Sequence, residues 1–140
     1  MSSRSINDIS PEVRDYFKSF LDKCVADQSL KDQGVTILVT CTHRTDEEQN
    51  ALYAIGRTIK GHIETCLKGG QSYHNGMIGG IKASHAIDIV PVRHGKLVWG
   101  TAGDDLVLWN YIGALGESCG LEWAGRWTGK LKEMAHFQKK

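Results

Sequence analysis

At 140 residues the chain has the size of one domain with one core, large enough to fold without disulfide or metal staples. Hydrophobic residues at 41% and charged residues at 24% argue against a disordered or fibrous protein. Seventeen basic against sixteen acidic side chains leave no broad field to draw the chain to nucleic acid or anionic lipid, although a local basic patch stays open. No apolar run approaches the roughly 20 residues that span a bilayer, so no stable membrane insertion is expected. Residues 1–10 are polar, without the basic and apolar segments of a secretory signal, and a cytosolic origin is expected. Cys24, Cys41, Cys66 and Cys119 form no C-x-x-C pair, which predicts reduced, mostly buried thiols rather than a Cys-rich zinc site.

In chain order, Ser10-Pro11-Glu12 reads as a helix start, and Val13, Phe17, Phe20, Leu21 and Cys24 recur at helical spacing to about residue 29. Gly34 breaks the chain before the β-branched run 35–39, a buried strand. Thr45 with Glu48 three residues later is a capping box, and Ala51, Leu52 and Ile55 give the stripe of a second helix ending near Gly56. From Gly56 to Ser84 no period is sustained, and so long an irregular stretch points to function there. Residues 86–92 read as a strand, His94-Gly95 as a tight turn and 96–99 as the returning strand, with Pro91 suited to an edge or a bulge. Asp104 or Asp105 caps a third helix ending near Cys119-Gly120, and a last short strand lies near 135–138. The expected fold is a single α+β domain over residues 1–140: a small, mostly antiparallel sheet carrying a metal site, flanked by about three helices.

Three distant segments offer metal donors: His74, Asp88 and His136. Two histidines and one carboxylate suit zinc (Zn2+) and leave its fourth position to water, the open arrangement of a catalytic site. Zinc brings the pKa of such a water toward ~7, and a carboxylate beside the metal then has to carry its proton. Glu133, three residues before His136, is placed for that task. Asp88 interrupts an otherwise apolar strand, where an unpaired charge is costly, so a metal or cationic partner is expected; the same holds for His136 beside Phe137. Trp99, Trp109, Trp123 and Trp127 read first as packing residues, with Trp123 and Trp127 near enough to the site to line a groove.

The motifs at 40–53 (TCTHRTDEEQNALY), 68–75 (KGGQSYHN), 86–92 (AIDIVPV), 95–99 (GKLVW), 120–127 (GLEWAGRW) and 133–138 (EMAHFQ) together carry a family likeness. Over nearly its whole length the chain resembles the zinc peptidases that include D-alanyl-D-alanine carboxypeptidases, and most of all the L-alanyl-D-glutamate endopeptidases used as phage endolysins. The resemblance implies zinc ligation by His74, Asp88 and His136, Glu133 as general base, Arg44 as the cation that polarises the scissile carbonyl and contacts substrate, and Ser72 as a substrate-side or supporting hydroxyl. The implied reaction is hydrolysis of the L-alanyl-D-glutamate bond of bacterial peptidoglycan stem peptides by a monomer. The protein would be held in a host cytoplasm until a membrane pore gives access to periplasm and wall. A D,D-carboxypeptidase or D,D-dipeptidase is the rival enzyme, and a non-catalytic, zinc-containing wall-binding module is the rival of another class.

Two departures stand out. The family spacing Ser-x-His-x-x-Gly-x-Ala-x-Asp puts six residues between the first two ligands, whereas thirteen separate His74 from Asp88. Seven extra residues, around Met77 to Ser84, therefore have to loop out with their ends kept close, at about 0.6 kcal/mol for each doubling of loop length. They also make His85 a rival ligand. Thr42-His43 stands where Gly-Tyr is usual, which touches substrate contacts rather than the metal.

Overall fold

The computed structural model describes residues 2–140. After a 3-10 turn at Ile6–Asp8 come α1 (Arg14–Ala26), α2 (Gln28–Asp32), β1 (Val35–Cys41) and α3 (Asp46–Ala54). A 3-10 turn at Tyr73–Asn75 leads into a hairpin of β2 (Met77–Ile78) and β3 (Ile81–Lys82), followed by β4 (Ala86–Arg93) and β5 (Lys96–Leu97). The chain closes with α4 (Gly103–Ser118), β6 (Glu122–Trp123) and β7 (His136–Gln138).

The main sheet runs β1-β4-β7-β6, with β5 also on β4, and every pairing in it is antiparallel. This is the expected α+β class, with one short helix more than the apolar periodicity indicates. The first helical run breaks at Asp27, whose backbone is extended and whose side chain accepts from the Leu30 N–H, so that α2 starts anew. Pro91 lies inside β4 rather than at an edge: it is opposite Ile37 of β1, and on its other side it falls in the gap between the β7 partners, Ala86 to Asp88, and the β5 partners, Val92 and Arg93. The capping box of α3 forms as the sequence predicts, Thr45 and Glu48 each accepting from the other's N–H. On α4, Asp104 and Asp105 sit in the first turn rather than at the cap, which is Ala102, and Asp105 pairs with Arg93 at 3.0 Å.

One face of the sheet meets α1 and α4. Phe17 and Phe20 of α1, Leu108, Trp109 and Ile112 of α4, and Ile87, Ile89 and Phe137 of the sheet are buried together, each contributing about 1.5–3 kcal/mol through the area removed from water. The Phe20 and Phe137 ring centroids lie 4.6 Å apart. Because successive strand residues point to opposite faces, burying Ile87, Ile89 and Phe137 in this core turns Asp88 and His136 to the other side. The fold thus sorts its core from its chemistry by strand alternation.

The seven extra residues form the β2–β3 hairpin. Gly79 and Gly80, both at positive φ, make its two-residue turn, and Ala83 N–H donates to the Gly76 carbonyl at 2.9 Å to close its base. Helix α4 comes so near the sheet that a Cβ on Gly113 would overlap the Trp123 indole. Gly113→Ala should therefore destabilise the protein by about 2 kcal/mol in urea unfolding, in spite of alanine's better helix propensity; a gain in stability would show that this packing is not tight.

Candidate metal centre

Strand register builds the centre. Asp88 of β4 pairs laterally with Cys41 of β1 on one side and with His136 of β7 on the other, so three potential donors stand in one row of the sheet. A register shift between Val39 and Cys41 brings Cys41 into that row. His74 arrives from the 3-10 turn at Tyr73–Asn75. The hydroxyl of Ser72 caps that turn by accepting from the His74 N–H at 3.2 Å, and the Asn75 side chain donates to the Arg44 carbonyl while Arg44 N–H donates to that of His74. Ser72 therefore holds the backbone of the ligand segment, not the imidazole, and also lines the cleft over the centre.

Asp88 Oδ1 lies 3.1 Å from His74 Nε2 and 3.2 Å from His136 Nδ1. The far nitrogen of each ring meets an oxygen that only accepts: His74 Nδ1 is 2.9 Å from the Thr42 carbonyl, and His136 Nε2 is 2.8 Å from Gln138 Oε1. Those far nitrogens carry the protons, so in the neutral rings the lone pairs sit on His74 Nε2 and His136 Nδ1, both aimed at a carboxylate. Each near nitrogen thus faces the same carboxylate oxygen, an arrangement that either a ring proton or a bound cation satisfies. Two imidazoles and one carboxylate are the donor types of an open zinc site, but the three do not form one close group: His74 clusters with Asp88 and Cys41, and His136 with Asp88 and Glu133.

The protonation preferences reflect the same crowding. Burial alone would lower the His74 imidazole, but the Asp88 carboxylate overrides it and pushes the ring up to about 10. Burial alone would raise Asp88, but the two imidazoles hold it well below the usual carboxylate range. Glu133 lies next to the row, its Oε2 4.0 Å from His136 Nδ1, with about half of its side chain (51%) open to solvent. Desolvation in the cleft and the charge of Asp88 raise it above an ordinary glutamate.

Arg44 closes the opposite side. Its Nη1 donates to Gln49 Oε1 at 2.9 Å, its Nη2 to Cys41 Sγ at 3.5 Å, and Nη2 is 3.9 Å from Asp88 Oδ2. His85 stands apart from this cluster, its Nδ1 2.9 Å from the Lys139 carbonyl. Among the described residues the groups able to hold a metal are Cys41, His74 and Asp88, and Asp88, Glu133 and His136. Trp109 and Trp123 are core residues with their indole N–H groups on the Gly100 and Met134 carbonyls, whereas Trp127 packs 5.8 Å from the His136 ring and Trp99 lines the cleft.

Three supporting residues escaped the sequence reading. Gln138 orients His136, Gln49 orients Arg44, and Cys41 sits against both Arg44 and His74. Signals for the first two existed: Gln138 is two residues from His136 and so on the same strand face, and Gln49 falls on the apolar stripe of α3, where it is buried.

The protein family described as D-alanyl-D-alanine carboxypeptidase matches residues 68–139. The peptidoglycan L-alanyl-D-glutamate endopeptidase CwlK of Bacillus subtilis (strain 168) is 30% identical over 111 residues, which cover 76% of this chain and 62% of CwlK; the chain thus spans about three fifths of that relative. The crystal structure of the Serratia marcescens L-Ala D-Glu endopeptidase ChiX shares the fold, with a TM-score of 0.59 and 20% identity over 100% of this chain and 89% of that one.

The hydrogen bond from His136 to Gln138 predicts the effect of breaking it. Gln138→Leu should weaken zinc binding by about 10- to 100-fold in competition with a chromophoric chelator, because the ligand ring loses its orienting acceptor; unchanged affinity would mean that β7 alone fixes the ring.

Proposed function

The chain belongs to the D-alanyl-D-alanine carboxypeptidase family of peptidases, and from that premise we propose that it hydrolyses the L-alanyl-D-glutamate bond of peptidoglycan stem peptides. The observation that supports this reading is the meeting of His74 and His136 on one oxygen of Asp88, with Glu133 beside His136 and Arg44 beside Asp88, in a cleft that extends past the centre. An endopeptidase needs room for chain on both sides of the scissile bond.

In this proposal His74, Asp88 and His136 hold zinc. When bound, zinc supplies a Lewis acid that acidifies water and polarises a carbonyl. Glu133, whose proton affinity is raised by partial desolvation in the cleft and by Asp88, takes the proton of the attacking water and returns it to the leaving D-glutamyl amine. Arg44, held by Gln49 and Cys41, donates to the oxygen that gains charge as the carbonyl becomes tetrahedral. Ser72 keeps the His74 turn in place and lines the substrate cleft.

The family description favours a D,D-carboxypeptidase as the second reading. Product mass separates the two: a new D-glutamyl amine supports the first and free D-alanine the second. The presence of Glu133 and Arg44 at the centre weighs against a purely wall-binding module. A lytic role, as a monomer released from a host cytoplasm through a pore, follows from the likeness to endolysins and is part of the same proposal.

Glu133→Gln should retain one zinc per chain by metal analysis and lose about 10²- to 10⁴-fold in kcat on purified peptidoglycan; near-normal turnover would remove Glu133 from the chemistry. Chelation should abolish release of new amines, and added zinc should restore it. Full activity in metal-free protein would end the zinc mechanism.

A further inference from the structure

The cleft has three joined parts. The central one lies over His74 and His136; two arms of about 490 Å³ and 650 Å³ meet it along Thr65 and Glu133, and Glu64 lines both arms. Their chemistry differs sharply. Residues found only in the smaller arm are uncharged and include Trp99, 56% exposed, with Thr40 and Thr101. Residues found only in the larger arm include three cations, Arg57, Lys130 and Lys132, and no acid; its acids, Glu64 and Glu133, are shared with the smaller arm.

The larger arm is built from segments tied to one another. Arg57 lies over the Tyr53 ring at 3.8 Å, and its Nη1 donates to the Tyr53 and Thr65 carbonyls at 2.7 and 3.0 Å. Cys66 Sγ donates to the Lys130 carbonyl at 3.8 Å, joining the two walls. Among the described residues, none of the three cations is in an ion pair. An arm that gathers three cations, none of them paired with a carboxylate, in a protein of nearly balanced charge is arranged for an anion.

We infer that this arm is the subsite for the anionic, D-glutamyl side of the stem peptide, and that the uncharged arm with Trp99 takes the L-alanyl side. The inference rests on the endopeptidase reading above and gives it a direction. A glutamate whose amine is acylated and one of whose carboxyls is in amide linkage keeps one free carboxylate, so the residue that follows the scissile bond brings a negative charge into the cleft. Arg57, Lys130 and Lys132 give that charge a place on one side of Glu133 only, which seats the scissile bond in a single polarity.

The test uses two synthetic stem peptides that differ only in the free carboxylate of D-glutamate, present in one and amidated in the other. The wild-type protein and K130Q/K132Q are compared, with circular dichroism to establish that both are folded. In the wild type, amidation should raise KM about tenfold and leave kcat within about twofold. In K130Q/K132Q the carboxylate peptide should bind as weakly as the amide, and R57Q should shift KM in the same direction. Equal KM for the two peptides in the wild type, or undiminished discrimination in the double variant, overturns the assignment. Equilibrium binding of the same peptides to E133Q separates the two ideas. If neither peptide is cleaved by the wild type the endopeptidase reading fails, while about tenfold tighter binding of the carboxylate peptide, lost on adding K130Q/K132Q, still upholds the anionic subsite; equal binding rejects it.

Discussion

The structure turns on one partly buried carboxylate. Asp88 is the third residue of β4, an inner strand, and its neighbours in sequence, Ile87 and Ile89, are wholly buried. A charge there costs several kcal/mol if left uncompensated. Strand alternation keeps it off the hydrophobic core, register sets His136 beside it, and the capped turn at Tyr73–Asn75 brings His74 to the same oxygen. Arg44 approaches its other oxygen. His74, His136 and Arg44 all answer that charge, and among the described residues Asp88 belongs to both groups of side chains able to hold a metal.

A second layer sets the direction of each group. The Thr42 carbonyl and Gln138 fix the protonated nitrogen of each imidazole, Gln138 is itself linked to Glu122 at 3.4 Å, and the wholly buried Gln49 connects Arg44 to the Leu67 carbonyl. These bonds pre-organise the groups and limit the reorganisation needed during a reaction. The β2–β3 hairpin shows how a seven-residue insertion between His74 and Asp88 is absorbed: its base closes from Ala83 to Gly76, and Ser84 N–H donates to the Asp8 carbonyl, so the flanking backbone stays pinned.

What sequence alone revealed depended on signal length. The stripe of α1, the Thr45–Glu48 box and the apolar run of β4 each place several residues in a pattern, and each corresponds to an element of the fold. The two-residue strands β2, β3 and β6 are shorter than any period: β2 and β3 pair with each other across Gly79-Gly80, and β6 forms against β7. The break at Asp27 turns on one capping side chain within a continuous apolar stripe. At the centre, His74, Asp88 and His136 stood out because polar donors lay in distinctive motifs, whereas the closeness of Cys41 to them is set by a register shift in β1 that no local pattern announces.

Cys41 also offers the sharpest contest for the central claim, since its thiol lies within reach of a metal held near His74 and Asp88. X-ray absorption at the zinc edge of protein loaded with one equivalent of the metal reads the donor atoms directly. Nitrogen and oxygen neighbours at about 2.0–2.2 Å, with no sulfur, are the result this account predicts. A zinc–sulfur distance near about 2.3 Å would put Cys41 in the coordination shell and contradict a centre made of two imidazoles, one carboxylate and an open position.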